Sequence, residues 1–150
     1  MKQRFLCLAA ALLMLLTACN AQDTEPTLQV TLPQSGVVMD FYGCDVTEAT
    51  TDLWMDTEQT PETAAMYCSD GRPELRLEGV EEENVEVRFA EPYETGMRLY
   101  TANYIMPKLD YKMTVEEDGL FIQLKTVYYY LITVTTDSGT DRFVVSTALD

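Results

Sequence analysis

After Glu74, apolar and polar side chains alternate with a period of two through most of the chain. Val85, Val87 and Phe89 point one way while Glu86 and Arg88 point the other, the pattern of a strand with one buried face. The same period recurs at Leu75 and Leu77, and at Leu109, Tyr111, Met113 and Val115. It returns at Leu120, Ile122 and Leu124, at Tyr128, Tyr130, Ile132 and Val134, and at Phe143 and Val145. Upstream, Leu28, Val30 and Leu32, then Val37, Met39 and Phe41, lie on either side of Pro33-Gln34-Ser35-Gly36. Turn-forming clusters separate these runs, namely Glu81-Glu82-Glu83-Asn84, Glu94-Thr95-Gly96, Glu117-Asp118-Gly119 and Asp137-Ser138-Gly139. Asp118-Gly119 and Ser138-Gly139 suit hairpin tips, because Gly reaches the positive φ such turns need. Residues 127–135 and 141–149 are therefore predicted to form an antiparallel pair.

The rhythm breaks over residues 43–72. This stretch is rich in Thr, Asp and Glu, holds the sole Trp54 and is bounded by Cys44 and Cys68. Thr60-Pro61-Glu62 ahead of Thr63-Ala64-Ala65-Met66 suits a capped helical turn, with Thr60 as N-cap and Pro61 in the first helical position. The whole segment reads as a long loop insert. Loops beyond about 12–15 residues are usually functional or disordered, which makes this one the first place to look for a site.

The amino end carries a different pattern. Lys2 and Arg4 precede an apolar run over residues 5–16, followed by Thr17, Ala18 and Cys19. A basic start and a run of about 7–15 apolar residues make a secretory signal, and the run is shorter than the roughly 18 residues a spanning helix needs. Leu16-Thr17-Ala18-Cys19 resembles the lipobox of bacterial lipoproteins. The resemblance implies cleavage before Cys19, diacylation of its sulfur, and anchoring of the mature chain to an envelope membrane on the extracytoplasmic face. The alternatives are ordinary secretion with cleavage near Ala21, or an uncleaved anchor. The expected organisation is a signal peptide over 1–18, a lipidated polar tether over 19–26 and a single domain over 27–150. The closing tyrosines, Ile-Thr-Val-Thr-Thr, a turn and Phe-Val-Val are similar to the last strands of bacterial immunoglobulin-like sandwiches. Together with the alternation, this gives the expected fold class: all-β, an antiparallel immunoglobulin-like β-sandwich of about 7–9 strands carrying the 43–72 insert.

Charge narrows the function. Lys and Arg number 10, Asp and Glu 25, and His none, for a formal charge of −15 that becomes −17 once residues 1–18 are removed. Such a chain repels phosphate backbones, which argues against nucleic acid as a partner. Without histidine there is no Ser-His-Asp or Cys-His catalytic pair and no His-based metal site. An anionic membrane would also repel the domain, so the lipid rather than a basic face has to hold it there.

With Cys7 in the signal and Cys19 as the lipid site, Cys44 and Cys68 remain. In an oxidising compartment they are expected to pair, closing a loop worth roughly 3–3.5 kcal/mol in the chain-entropy model, the alternative being two separate free thiols. A redox role is weaker, because there is no Cys-x-x-Cys and the neighbouring Asp45, Glu48 and Asp70 disfavour a thiolate. The acidic residues Asp45, Glu48, Asp52, Asp56 and Glu58, with Glu81, Glu82 and Glu83, raise the alternative of a calcium-dependent protein or a small carboxylate-based hydrolase. No Asp-x-Asp-x-Asp-Gly loop is present, and a small sandwich has little room for a sugar cleft. Solvated surface charge is the simpler reading, and no metal or cofactor is expected.

The aromatic residues are the better candidates. Trp54, Tyr67, Tyr93 and Tyr129, with Tyr100 and Tyr104, fall in loops or on strand faces opposite the expected core. Tyr and Trp dominate contact hot spots and stack on sugars. The competing possibilities are that the strand regions bury both faces, or that Trp54 packs over the disulfide and seals the insert, which is the simpler reading for that residue. The expectation is a non-catalytic binding or structural module that meets a protein or glycan partner through Trp54, Tyr67, Tyr93 and Tyr129.

Overall fold

A computed structural model describes residues 25–55, 58–99, 110–125 and 128–147. The described residues form eleven strands: β1 (Leu28–Thr31), β2 (Val38–Tyr42), β3 (Val46–Trp54), β4 (Glu62–Ser69), β5 (Glu74–Glu78), β6 (Val85–Tyr93), β7 (Gly96–Leu99), β8 (Tyr111–Glu116), β9 (Gly119–Leu124), β10 (Tyr129–Thr136) and β11 (Gly139–Ser146). A 3-10 turn, Glu82–Asn84, leads into β6. Strands β1, β2, β5, β9 and β8 make an open antiparallel sheet in that order. The other six close into a barrel in the order β10, β11, β4, β3, β7, β6. Two of its seams, β4 with β11 and β3 with β7, are parallel.

The fold is thus all-β with two sheets, but one of them is closed, where a sandwich of two open sheets was expected. Closure removes the unpaired edges that an open sheet exposes. The expected closing hairpin is present as β10 and β11, paired from Tyr129 with Ser146 to Thr136 with Gly139.

Two hydrophobic clusters follow from this arrangement. The larger lies between the open sheet and one side of the barrel. It joins Met39, Phe41, Leu75, Leu77, Leu120 and Ile122 of the sheet to Val85, Val87, Tyr130, Ile132, Val134, Phe143 and Val145 of the barrel. The smaller fills the barrel: Leu53, Ala64, Ala90, Met97, Leu99, Leu131 and Val144. Strand β10 serves both, with Tyr130, Ile132 and Val134 facing the sheet and Leu131 facing the lumen, so it reads as a continuous apolar run. An eight-stranded barrel is just wide enough for side chains to fill it, and six strands leave less space. Alanine at positions 64 and 90 fits that narrower lumen.

The segment 43–72 is not an insert. It contains β3 and β4, paired from Val46 with Ser69 to Leu53 with Glu62, and forms one wall of the barrel. The helical turn expected after Thr60 is absent, since Glu62–Ser69 is extended throughout. Lumen packing of Ala64 and the pairing of β4 with both β3 and β11 outweigh the local helical preference of Thr63-Ala64-Ala65-Met66.

The expected Cys44–Cys68 disulfide is not formed, and register explains why. Along β4, Tyr67 faces the large core and Met66 packs against the lumen cluster. Alternation therefore places Ser69 on the outer face and Cys68 on the lumen face. Cys44 lies beside Ser69, with Sγ 2.9 Å from its Oγ, and against Gly71. Cys44, in the turn before β3, thus lies on the Ser69 side of β4 while the Cys68 side chain is on the other face, and no disulfide joins them.

Candidate functional site

The four aromatic candidates separate in space. Tyr67 is a core residue, 1% exposed, with its ring 5.1 Å from Phe41 and 5.7 Å from Phe143 between centroids. Burial, with the charges of Glu48 and Asp141, pushes its phenol up to about 12. Tyr129 packs against the lumen cluster. Trp54 and Tyr93 come together on the outer wall of the barrel. Cys19, Tyr100, Tyr104 and Asp56 lie outside the described residues.

Alternation builds the Trp54–Tyr93 site. Leu53 points into the lumen, so Trp54 points out. Met97 and Leu99 point in, so Arg98 between them points out, and it is aligned with Trp54 across the β3–β7 seam. Ala90 points in, so Phe89, Glu91 and Tyr93 point out. The Trp54 and Tyr93 rings meet edge to face, with centroids 5.6 Å apart and planes at 75°. The Arg98 guanidinium carbon stands 5.0 Å from the Tyr93 ring centre. Edge-to-face ring pairs contribute about 0.5–1.5 kcal/mol beyond area burial, and an exposed cation over a ring about 0.5–1 kcal/mol. The three side chains therefore brace one another. All three are half-buried.

The cover of the open sheet thins along β6. Val85 and Val87 are buried in the large core, whereas Phe89, Glu91 and Tyr93 on the same face are only partly buried. Phe89 stacks edge to face on Tyr128, at 5.5 Å and 83°. Tyr128 is one of two large apolar side chains exposed among the described residues, the other being Val115 on β8. Sequence reasoning selected Trp54 and Tyr93 but missed Arg98 and the Phe89–Tyr128 pair. The signal for Arg98 was its place between two apolar neighbours in Gly96-Met97-Arg98-Leu99.

The carboxylates are spread along turns rather than gathered. Glu81, Glu82 and Glu83 face Glu116, Glu117 and Asp118 across an open groove of about 900 Å³. Among the described residues no three Asp, Glu or Cys side chains converge in a way that would hold a metal ion. Asp118 is bound by Arg76 at 3.0 Å.

No family model, curated protein or solved structure matches this chain.

Proposed function

We propose that the chain is a lipid-tethered extracytoplasmic protein acting as a non-catalytic binding module, and that its contact face is the Trp54, Tyr93 and Arg98 cluster on the barrel wall. The tether reading rests on Leu16-Thr17-Ala18-Cys19 following a short apolar run. The binding reading rests on one observation: a Trp, a Tyr and an Arg, the residue types richest in interface hot spots, contact one another on the outer wall outside both cores. Rings already held by their neighbours lose little conformational freedom on binding, which favours tight contact with a protein or glycan.

Crosslinking on intact cells, followed by recovery of the partner, tests this reading. Trp54→Ala should cut partner capture by about 30-fold, the equivalent of a hot spot of about 2 kcal/mol, while lowering the melting temperature by only a few degrees. A Trp54→Ala protein that melts far lower and, where still folded, captures partner as before would make Trp54 a packing residue and end the proposal. Mass spectrometry of the mature amino end tests the tether separately, since an unmodified Cys19 would exclude the lipid.

A further inference from the structure

A concave pocket of about 370 Å³ lies in the seam between the β1–β2 turn and the barrel wall made by β4 and β11. Two polar side chains that are more than nine-tenths buried line it, Tyr67 at 1% exposed and Asp141 at 6%. The Tyr67 ring is fixed between Phe41 and Phe143, yet its hydroxyl has no hydrogen-bond partner among the described residues. The ring is buried, but the hydroxyl oxygen is not among the sealed, unpartnered side-chain atoms of the described residues, so it offers a free donor and acceptor to the cavity that Tyr67 lines.

Asp141 has capacity left as well. Its Oδ2 accepts from the Ser35 amide at 2.7 Å and the Ser35 hydroxyl at 2.6 Å. The Gln34 amide is shared, at 3.1 Å to Oδ1 and 3.3 Å to Oδ2. A carboxylate offers about four lone-pair sites, so Oδ1, with only that shared amide, still has room for a donor.

Charge selects the kind of donor. Glu48 stands opposite Tyr67 in the β3–β4 register, and Glu62 lines the pocket with a loose 3.8 Å contact to Arg142. Asp141, Glu48 and Glu62 therefore outweigh the single Arg142, and an anion would be repelled. Leu32, Pro33 and Phe143 give the pocket an apolar wall suited to a methylene chain.

We propose that this pocket binds an alkylammonium group, supplied either by a free short aliphatic amine or by a lysine side chain of a peptide. The ammonium donates to Asp141 Oδ1 and to the Tyr67 hydroxyl oxygen, while its methylenes lie along Leu32, Pro33 and Phe143. The phenol stays protonated far above neutral pH, so it meets the ammonium as a neutral acceptor.

Titration of the full chain with butylammonium chloride, followed through the backbone amide signals of Ala65, Thr140 and Phe143 at ionic strength matched with sodium chloride, tests the proposal. Saturable shifts are expected, with butanol at least about tenfold weaker, because it lacks the charge-assisted bond to Asp141. A second arm uses the peptide acetyl-Gly-Lys-Gly-amide. Tighter binding than butylammonium assigns the site to lysine side chains, and weaker binding assigns it to free amines. Tyr67→Phe keeps the ring packing and should weaken butylammonium by about five- to tenfold. Asp141→Asn should abolish saturation, and where that variant fails to fold, Tyr67→Phe decides. Absence of saturable shifts, butanol binding as tightly as butylammonium, or unchanged affinity in Tyr67→Phe would each overturn the site.

Discussion

Removing the carboxylate of Asp141 should separate the open sheet from the barrel at one end. Asp141 belongs to β11, and its carboxylate takes donors from Gln34 and Ser35 in the β1–β2 turn, more than a hundred residues away in sequence. The same turn is held from the other side by the Thr136 hydroxyl donating to the Ser35 carbonyl at 3.3 Å. Gly139 lies so close that an added Cβ would sit 2.9 Å from the Gln34 carbonyl oxygen. In Asp141→Ala, the Ser35 amide and hydroxyl lose their acceptor in a site where Ser35 is only 7% exposed, whereas Gln34 is exposed and water can replace its bond. Two buried donors orphaned at about 1–3 kcal/mol each put the cost at about 3–5 kcal/mol, the range for breaking one side of a buried charged network. At roughly 3–5 °C per kcal/mol for a domain of this size, the melting temperature should fall by about 10–20 °C. Ser35→Ala alone should cost less, and the double variant should fall short of the sum by about 1–2 kcal/mol because both changes remove the same bonds. Calorimetric melts of the four proteins make the measurement. An Asp141→Ala domain within about 0.5 kcal/mol of the parent, or strict additivity with Ser35→Ala, would refute the latch.

Tyr67 gives a pH prediction with a definite sign. Its phenol is raised from 10.0 to about 12 by burial and by Glu48 and Asp141. The folded form therefore keeps its proton where the unfolded chain has lost it, and this contribution, whole below pH 10, drains away as pH rises toward 12. The loss approaches about 2–3 kcal/mol. Denaturant melts at pH 9 and 11, which span about half of that change, should show Tyr67→Phe losing about 1 kcal/mol less than the parent, and parallel losses would count against it. Gly119→Ala should destabilise by roughly 2–4 kcal/mol, because the new Cβ would fall on the Leu77 carbonyl oxygen across the β5–β9 pair; a chemical melt unchanged from the parent would contradict that contact. Reductant should leave the melting temperature where it is, and Cys68→Ser should behave the same with and without it. A drop on reduction matching the roughly 3–3.5 kcal/mol of a cross-link would mean that Cys44 and Cys68 pair after all.

The strands legible in the sequence were those with one dry face and one wet face. Strands β5, β6 and β9 show this alternation because the open sheet and the barrel each bury one side against the other. The barrel wall made by β3 and β4 gave no such signal. Thr47, Glu48, Ala49 and Thr50 of β3 are exposed in succession, so neither face carries a run of large apolar residues. What remained was β-branched content, Val46 and several threonines, a weaker indicator than periodicity. In β4, the alanine that fits a narrow lumen is also the best helix former, so the sequence favoured the wrong local structure for a reason that only closure of the barrel reveals.

The same parity argument decides which candidate residues belong together. Trp54 and Tyr93 are far apart in sequence and become neighbours because β7 sits between β3 and β6, pairing with the first in parallel and the second antiparallel. That seam aligns Trp54 with Arg98 and Arg98 with Glu91, and places Tyr93 at the turn that starts β7. The parallel step cannot be read from a hairpin signal, since parallel neighbours need a long connection and carry no turn between them. Cys44 and Cys68 illustrate the opposite outcome. Their spacing suits a cross-link, but one residue of parity sends one sulfur toward Ser69 and the other strand face toward the lumen. Spacing along the chain therefore limits which residues can meet, whereas strand order and parity determine which do, and here they join a Trp to an Arg and divide a pair of thiols.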